Sequence, residues 1–244
     1  MAQFYKIFNE ENCDIDEWTF PVTPNVFAWD SGEEALGIQP SVERYSAQWN
    51  PPGVSDALQI RALCKFNLFG GRTGGVAARI KSLDTTRGTA YTSQNSSSTS
   101  ARLCRFDGDA GTNEVNLTTT VSWDCRIWHW RLLEVSGNTI RHKLYTGVAD
   151  DEPSDWTHET TDSTYSGDGG VGLFFRIMNT SFYVREIYVG TDGDPAPTGP
   201  VDVSAEPFLL RHNPRTNKVI PVLSSPTVTD IGANCARPRV SKGY

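Results

Sequence analysis

A chain of 244 residues, 38% hydrophobic and 11% aromatic, has the length and the core-forming content of one large all-β domain or of a domain with an appendage, and it is too apolar to be disordered. A formal charge of −7 and a pI near 5.1 argue against a nucleic-acid partner, whose phosphates would need clustered Lys and Arg; Arg237 and Arg239 are two scattered charges. No stretch approaches the roughly 18 apolar residues of a membrane span. The start, MAQFYKIFNEENCDIDEW, has no basic n-region followed by an apolar run, so the sequence predicts no membrane insertion and synthesis in a cytoplasm. The five cysteines (Cys13, Cys64, Cys104, Cys125, Cys235) form no C-x-x-C pair, which suits neither a disulfide framework nor a structural zinc site and predicts buried thiols.

Residues 1–53 read as loop-heavy, with an opening strand at 4–8 and large rings (Trp18, Phe20, Phe27, Trp29, Tyr45, Trp49) set between turns, where they are expected to plug one end of a sandwich. This stretch is expected to be either a sandwich edge or an attachment arm. Residues 57–67 (ALQIRALCKFN) predict a strand with Leu58, Ile60, Ala62 and Cys64 on one face and Gln59, Arg61 and Lys65 on a wetter one. A glycine turn precedes a strand at 76–83, and 88–93 continues the sheet. The polar, low-complexity run SQNSSSTS, residues 93–100, reads as a loop. Segments 102–106 and 114–123 flank DGDAGTN as a hairpin.

The richest region follows. Residues 123–135 (WDCRIWHWRLLEV) alternate so that Trp128, Trp130 and Leu132 share a face, and residues 140–145 (IRHKLY) place Ile140, His142 and Leu144 together. A further pair of strands closes with residues 167–195. Gly and Pro then concentrate in GTDGDPAPTGP, which reads as the end of the sandwich domain, 1–190, and a linker, 191–200. The remaining residues, 201–244, hold strand-like pieces at 208–211, 218–223 and 227–231. That is below the roughly 55–65 residues at which a core sustains itself without staples, so this small β tail is expected to dock, on its own sandwich or on a neighbouring subunit.

The stretch from WHWRLLEV to YVGTDGDPAP resembles the second half of concanavalin A-like, laminin-G-like jelly-roll domains, above all versions carried by tailed bacteriophages. The resemblance rests on the W-x-W-x-x-L-x-V strand, on Glu152-Pro153-x-x-Trp156, on Thr161 to Thr164 before a Gly-Val-Gly strand, and on the closing Val189-Gly190-Thr191-Asp192-Gly193. The tail segment VLSSPTVTDIGANCARPRV, residues 222–240, is similar to a module found at the ends of phage virion proteins. The resemblance implies an all-β, two-sheet antiparallel jelly-roll sandwich with a small C-terminal β appendage. It also implies a virion structural protein at the tail tip or in a tail fibre, with other virion proteins and further copies of itself as partners and a host-surface glycan as a possible ligand. Its rivals are a capsid decoration protein and a glycan-active enzyme of concanavalin-like fold.

Glycan hydrolases of this fold carry an E-x-D-x-x-E strand that supplies paired carboxylates, and no such pattern occurs here. The four histidines lie near no nucleophile motif, so no catalytic residue is expected and the chain reads as a non-enzyme. Asp107, Asp109, Asn113 and Glu114 offer oxygen ligands in one loop, the donor set a calcium ion prefers, although a hairpin turn wants the same residues without any metal; no other cofactor is indicated. Sugar binding requires an exposed aromatic platform beside amides or carboxylates. The candidates are Trp29, Tyr45 and Trp49, with Asp30, Gln48 and Asn50 nearby, and separately Trp156 beside Asp155.

Overall fold

The computed structural model describes residues 2–11, 16–20, 27–38, 45–66, 74–82, 89–107, 114–175 and 182–200, and the backbone of two further strands, Phe208–Asn213 and Lys218–Leu223. The chain divides into two compact units, Met1–Val201 and Asp202–Tyr244.

In chain order the strands of the first unit are β1 (Gln3–Ile7), β2 (Trp18–Thr19), β3 (Phe27–Asp30), β4 (Ala35–Ile38), β5 (Tyr45–Trp49), β6 (Ala57–Phe66), β7 (Gly74–Ser82), β8 (Thr89–Ser97), β9 (Ser100–Phe106), β10 (Glu114–Asn116), β11 (Val121–Ser122), β12 (His129–Ser136), β13 (Thr139–Tyr145), β14 (His158–Thr161), β15 (Gly170–Phe175) and β16 (Phe182–Thr191). One sheet runs β14-β13-β12-β6-β16-β4-β3, with β1 also on β16. The other runs β10-β9-β8-β7-β15-β5-β2, with β11 on β9. The pairings are antiparallel, and the result is the two-sheet jelly-roll sandwich expected from the sequence. The only helix among the described residues is a single 3-10 turn, Ala149–Asp151, so none is long and apolar enough to cross a membrane.

Alternation decides which residues fill the space between the sheets. From the first sheet come Leu58, Ile60, Ala62, Cys64 and Phe66 of β6, Leu133 and Val135 of β12, and Ile187 and Val189 of β16; from the second come Val76, Tyr91, Leu103, Val171, Leu173 and Phe175. Each fully buried Leu, Ile, Val or Phe contributes about 1.5–3 kcal/mol relative to exposure. The β12–β13 hairpin is closed by Gly137 and Asn138, with Gly137 at φ 54°, the left-handed backbone a two-residue turn demands at its first position. Cys64, Cys104 and Cys125 are free and buried, as expected; Cys13 and Cys235 lie outside the described residues.

Three expectations are corrected. The serine-rich run is not a loop: β8 extends to Ser97, only Ser98 and Thr99 turn, and β9 begins at Ser100. Its first residues, Ser93 to Asn95, are buried, Ser93 Oγ lying 2.7 Å from His142 Nδ1 and the Asn95 side chain accepting from the Gly74 amide at 2.8 Å. The aromatic residues before Gly53 do not plug an end between turns, because Trp18, Trp29 and Trp49 sit within strands of the two sheets. The segment read as a linker is packed: Ala196 is 2% exposed, its amide donates to Gln59 at 2.7 Å, and a Cβ on Gly190 would come within 2.1 Å of the Asp194 carbonyl oxygen.

In the second unit the described residues form one hairpin, β17 (Phe208–Asn213) with β18 (Lys218–Leu223), and Pro221 stands opposite Leu210. The strand expected at 227–231 lies outside the described residues.

Candidate functional site

The outer face of the first sheet carries a layer of rings and paired charges. Trp130, Leu132, Tyr145 and Tyr188 form its floor, Ala149 and Ala196 pack onto them, and Leu63 and Trp156 close the cluster. Beneath this cover lies Arg61, almost wholly buried. Its Nη1 donates to Tyr145 Oη at 2.6 Å and to the Ala149 carbonyl at 2.9 Å, and its Nη2 donates to Glu152 Oε2 at 2.5 Å. Lys143 reaches the other Glu152 oxygen at 2.6 Å, so one carboxylate ties two cations, on β6 and β13 with β12 between them, to the covering turn.

Trp156 stands half-exposed at the rim of this layer. Arg141 and Lys143, two residues apart on β13 and therefore on one face, both lie against its ring, with the guanidinium carbon 4.3 Å and the ammonium 4.5 Å from the centroid. Arg141 is held from its other side by Glu134, at 2.9 Å and 2.7 Å, and by Glu159 at 3.3 Å. The second Glu134 oxygen accepts from Gln59 at 2.7 Å. Arg141, Glu134 and Gln59 then line a recess of about 190 Å³ whose wall includes Ser136, Gly193 and Asp194. An aromatic platform and a polar recess are thus continuous through one arginine. The recess is smaller than the roughly 300–1,000 Å³ that hold drug-sized ligands, and it suits one small polar unit.

The other aromatic candidates do not join this surface. Trp49 is 2% exposed, its ring stacked on Trp18 and its indole nitrogen donating to Glu17 at 3.2 Å, so it has no face to offer. Trp29 is half-buried against the core on β3, in the opposite sheet from Trp49. Asp30 next to it accepts from the amides of Gly32 and Glu33, and Asn50 accepts from Thr19. Tyr45 pairs its backbone with Phe175, and its side chain lies outside the described residues.

Of the four loop residues expected to offer oxygen to calcium, Asp109 and Asn113 lie outside the described residues. Asp107 is engaged by Arg105 at 2.7 Å and 3.1 Å and by the Tyr165 hydroxyl at 2.5 Å, and Glu114 pairs with Arg102. Burial pushes the Asp107 carboxyl up, and Arg105 and Tyr165 outweigh it, leaving it below its ordinary value. Among the described residues no group of three or more His, Cys, Asp or Glu side chains is placed to hold a metal ion.

The inward face of the same strands holds a second polar system that the sequence did not announce. Arg131 is 0% exposed; its Nη2 lies 3.3 Å from His129 Nε2 and 3.9 Å from Cys125 Sγ, and its Nε and Nη1 have no partner among the described residues. His142, equally buried, lies between Ser93 and His158, the latter 3.1 Å from its Nε2. Burial and then the Arg131 charge hold His129 at about 3, and the same causes, with His158, hold His142 well below its usual range. The hidden Ser93 has no route to a substrate, so the Ser–His–His contact joins the two sheets rather than forming a nucleophile.

No protein-family model matches the chain, and no curated protein does. Solved structures do. A carbohydrate-binding module, CBM66, from Bacillus subtilis is similar at TM-score 0.50 and 14% identity, covering 70% of this chain and 94% of that one. The transglycosylase Crh5, solved in complex with NAG, is similar at TM-score 0.53 and 8% identity over 79% of this chain and 85% of that one. These likenesses establish the fold, a two-sheet jelly-roll sandwich. Nothing in them connects the chain to virion proteins, and that connection stays with the sequence resemblance.

Proposed function

We propose that the jelly roll is a non-catalytic glycan-binding module, borne on a bacteriophage particle at the tail tip or in a tail fibre. The observation that carries glycan binding is the half-exposed Trp156 seated on Arg141 at the lip of the recess lined by Gln59, Glu134 and Ser136. Aromatic rings contribute area to a sugar's apolar face, and fixed charges and amides beside them read its hydroxyls. Gln59, Glu134 and Arg141 are already oriented by one another, which lowers the ordering cost of binding.

The non-catalytic reading rests on Glu134. Cleavage of a glycosidic bond asks for a pair of carboxyls free to meet the bond from either side, whereas both oxygens of Glu134 are already taken, one by Arg141 and the other by Gln59. Placement on a particle rests on the sequence resemblance alone, with Asp202–Tyr244 as the unit of assembly.

A glycan array probed with the intact chain and with Trp156→Ala tests the binding. A hit that the variant loses at least tenfold supports the reading, and a hit that survives the substitution refutes this site. Turnover of any bound polysaccharide would replace the module with an enzyme. Gold-labelled antibody on purified particles separates tail from head, and label on the head would make the chain a capsid decoration protein. Truncation after Val201 should leave a folded sandwich that no longer joins the particle.

A further inference from the structure

A second tryptophan on the outer face of the first sheet differs from Trp156 in its charge balance. Trp128, half-buried just before β12, lies against Arg185, whose guanidinium carbon is 4.1 Å from the ring centroid, and has Lys65 at 5.9 Å. Lys65 is neutralised, both Glu33 oxygens lying 2.8 Å from its ammonium. Arg185 is not. Its Nε and Nη2 donate to the Glu33 backbone carbonyl at 3.2 Å and 2.8 Å, and no carboxylate pairs with it among the described residues.

The local backbone builds this arrangement. The register of β16 against β6 shifts between Val184 and Glu186, so Arg185 is the extra residue of a bulge, the device by which a strand re-aims one side chain. The carbonyl it meets belongs to a turn fixed by Asp30, which accepts from the Gly32 and Glu33 amides at 2.9 Å and 3.0 Å. Because Glu33 takes the Nε–Nη2 edge, the Nη1–Nη2 edge remains, the fork that matches two oxygens of an anion.

We propose that Trp128 and Arg185 form a second glycan site, selective for a sugar bearing an anionic group, a uronate carboxylate or a sulfate ester. The anion docks on the free guanidinium edge and the sugar ring lies against the half-exposed indole. In a chain of net charge −7, an unneutralised cation held rigidly beside an aromatic ring confers charge selectivity that the Trp156 surface, whose cations all have carboxylate partners, does not. Trp128 precedes Leu132, the residue paired with Lys143 under Trp156, by four positions, which at about 3.3 Å per residue separates the two platforms along the strand by about 13 Å. The inference rests on reading this face as glycan-binding.

The test is titration of the intact chain with neutral, uronate and sulfated oligosaccharides of equal length, followed by calorimetry. At least one charged probe should bind tenfold or more tighter than the neutral one, and the better of the two identifies the anion. Arg185→Gln should abolish that preference while binding the neutral probe as before, and Trp156→Ala should weaken the neutral probe and keep the preference. Trp128→Leu, which retains bulk, is the second variant and should also lose the preference. Equal affinity for charged and neutral probes, or a preference that survives Arg185→Gln and Trp128→Leu, overturns this site alone. Absence of binding by all three probes overturns the glycan reading with it.

Discussion

On β12, Arg131 and Glu134 are three residues apart and face opposite sides of the sheet, and the two sides handle charge in opposite ways. Outward, Arg61, Arg141 and Lys143 each meet a carboxylate, and the network reaches solvent at Trp156. Inward, Arg131 is sealed with two neutral histidines and two thiols and has no carboxylate among the described residues. A buried ion pair is costly to break, whereas a buried cation without a counter-charge is costly to keep. The outer system is therefore expected to resist substitution and the inner one to tolerate it.

The largest effect should come from Arg61→Ala, which empties a fully buried position and removes the bonds to Glu152, the Tyr145 hydroxyl and the Ala149 carbonyl that hold the covering turn down. A loss of about 3–5 kcal/mol in urea unfolding is expected, and a loss under 1 kcal/mol would equate the two faces. Acid should come next. The folded-state values of His129 and His142 lie below the ordinary 6.5, so the native state binds fewer protons, and the stability they confer is complete above about pH 6.5 and falls as pH drops. At pH 5 His129 should cost about 2 kcal/mol, and His142 adds a loss of the same sign. Asp107 and Asp162, held low, lose their contribution only further down, in the carboxylate range. Stability that stays flat between pH 7 and 5 would contradict the sealed inner layer.

Alternation made much of this legible. Leu58 to Phe66 and the opposed faces of β12 and β13 follow from residue type, because most apolar positions have a polar neighbour to define them. The serine end of β8 was not legible, since its strand is held by the ladder and by buried polar pairs such as Ser93 with His142, forty-nine residues away. The short strands β2 to β5 hid for a related reason: Trp18 and Trp49 look like surface rings until their mutual stacking is seen. Trp156 was legible as a candidate, but its cations were not, although an Arg and a Lys two apart on a predicted strand are a signal that could have been used. The Trp128 and Arg185 contact depends on a bulge that no local pattern announces.

A smaller effect sharpens the contrast. Arg131→Met should be neutral or stabilise the sandwich by about 1–4 kcal/mol, as replacement of buried charge by apolar bulk does elsewhere. It should also raise the pH stability profile's acid tolerance, because the Arg131 charge helps depress both histidines. Smallest should be Trp156→Ala in the absence of ligand, with an expected cost of about 1 kcal/mol for its cation contacts, read by thermal unfolding.

The most direct test is to follow the indole N–H signals of the seven tryptophans by NMR during titration with a glycan found on an array. The Trp156 signal should move with saturation while those of Trp18 and Trp49, shut in the core, stay in place. Movement at Trp18 and Trp49 with Trp156 unchanged would contradict the assignment of binding to the outer face of the first sheet.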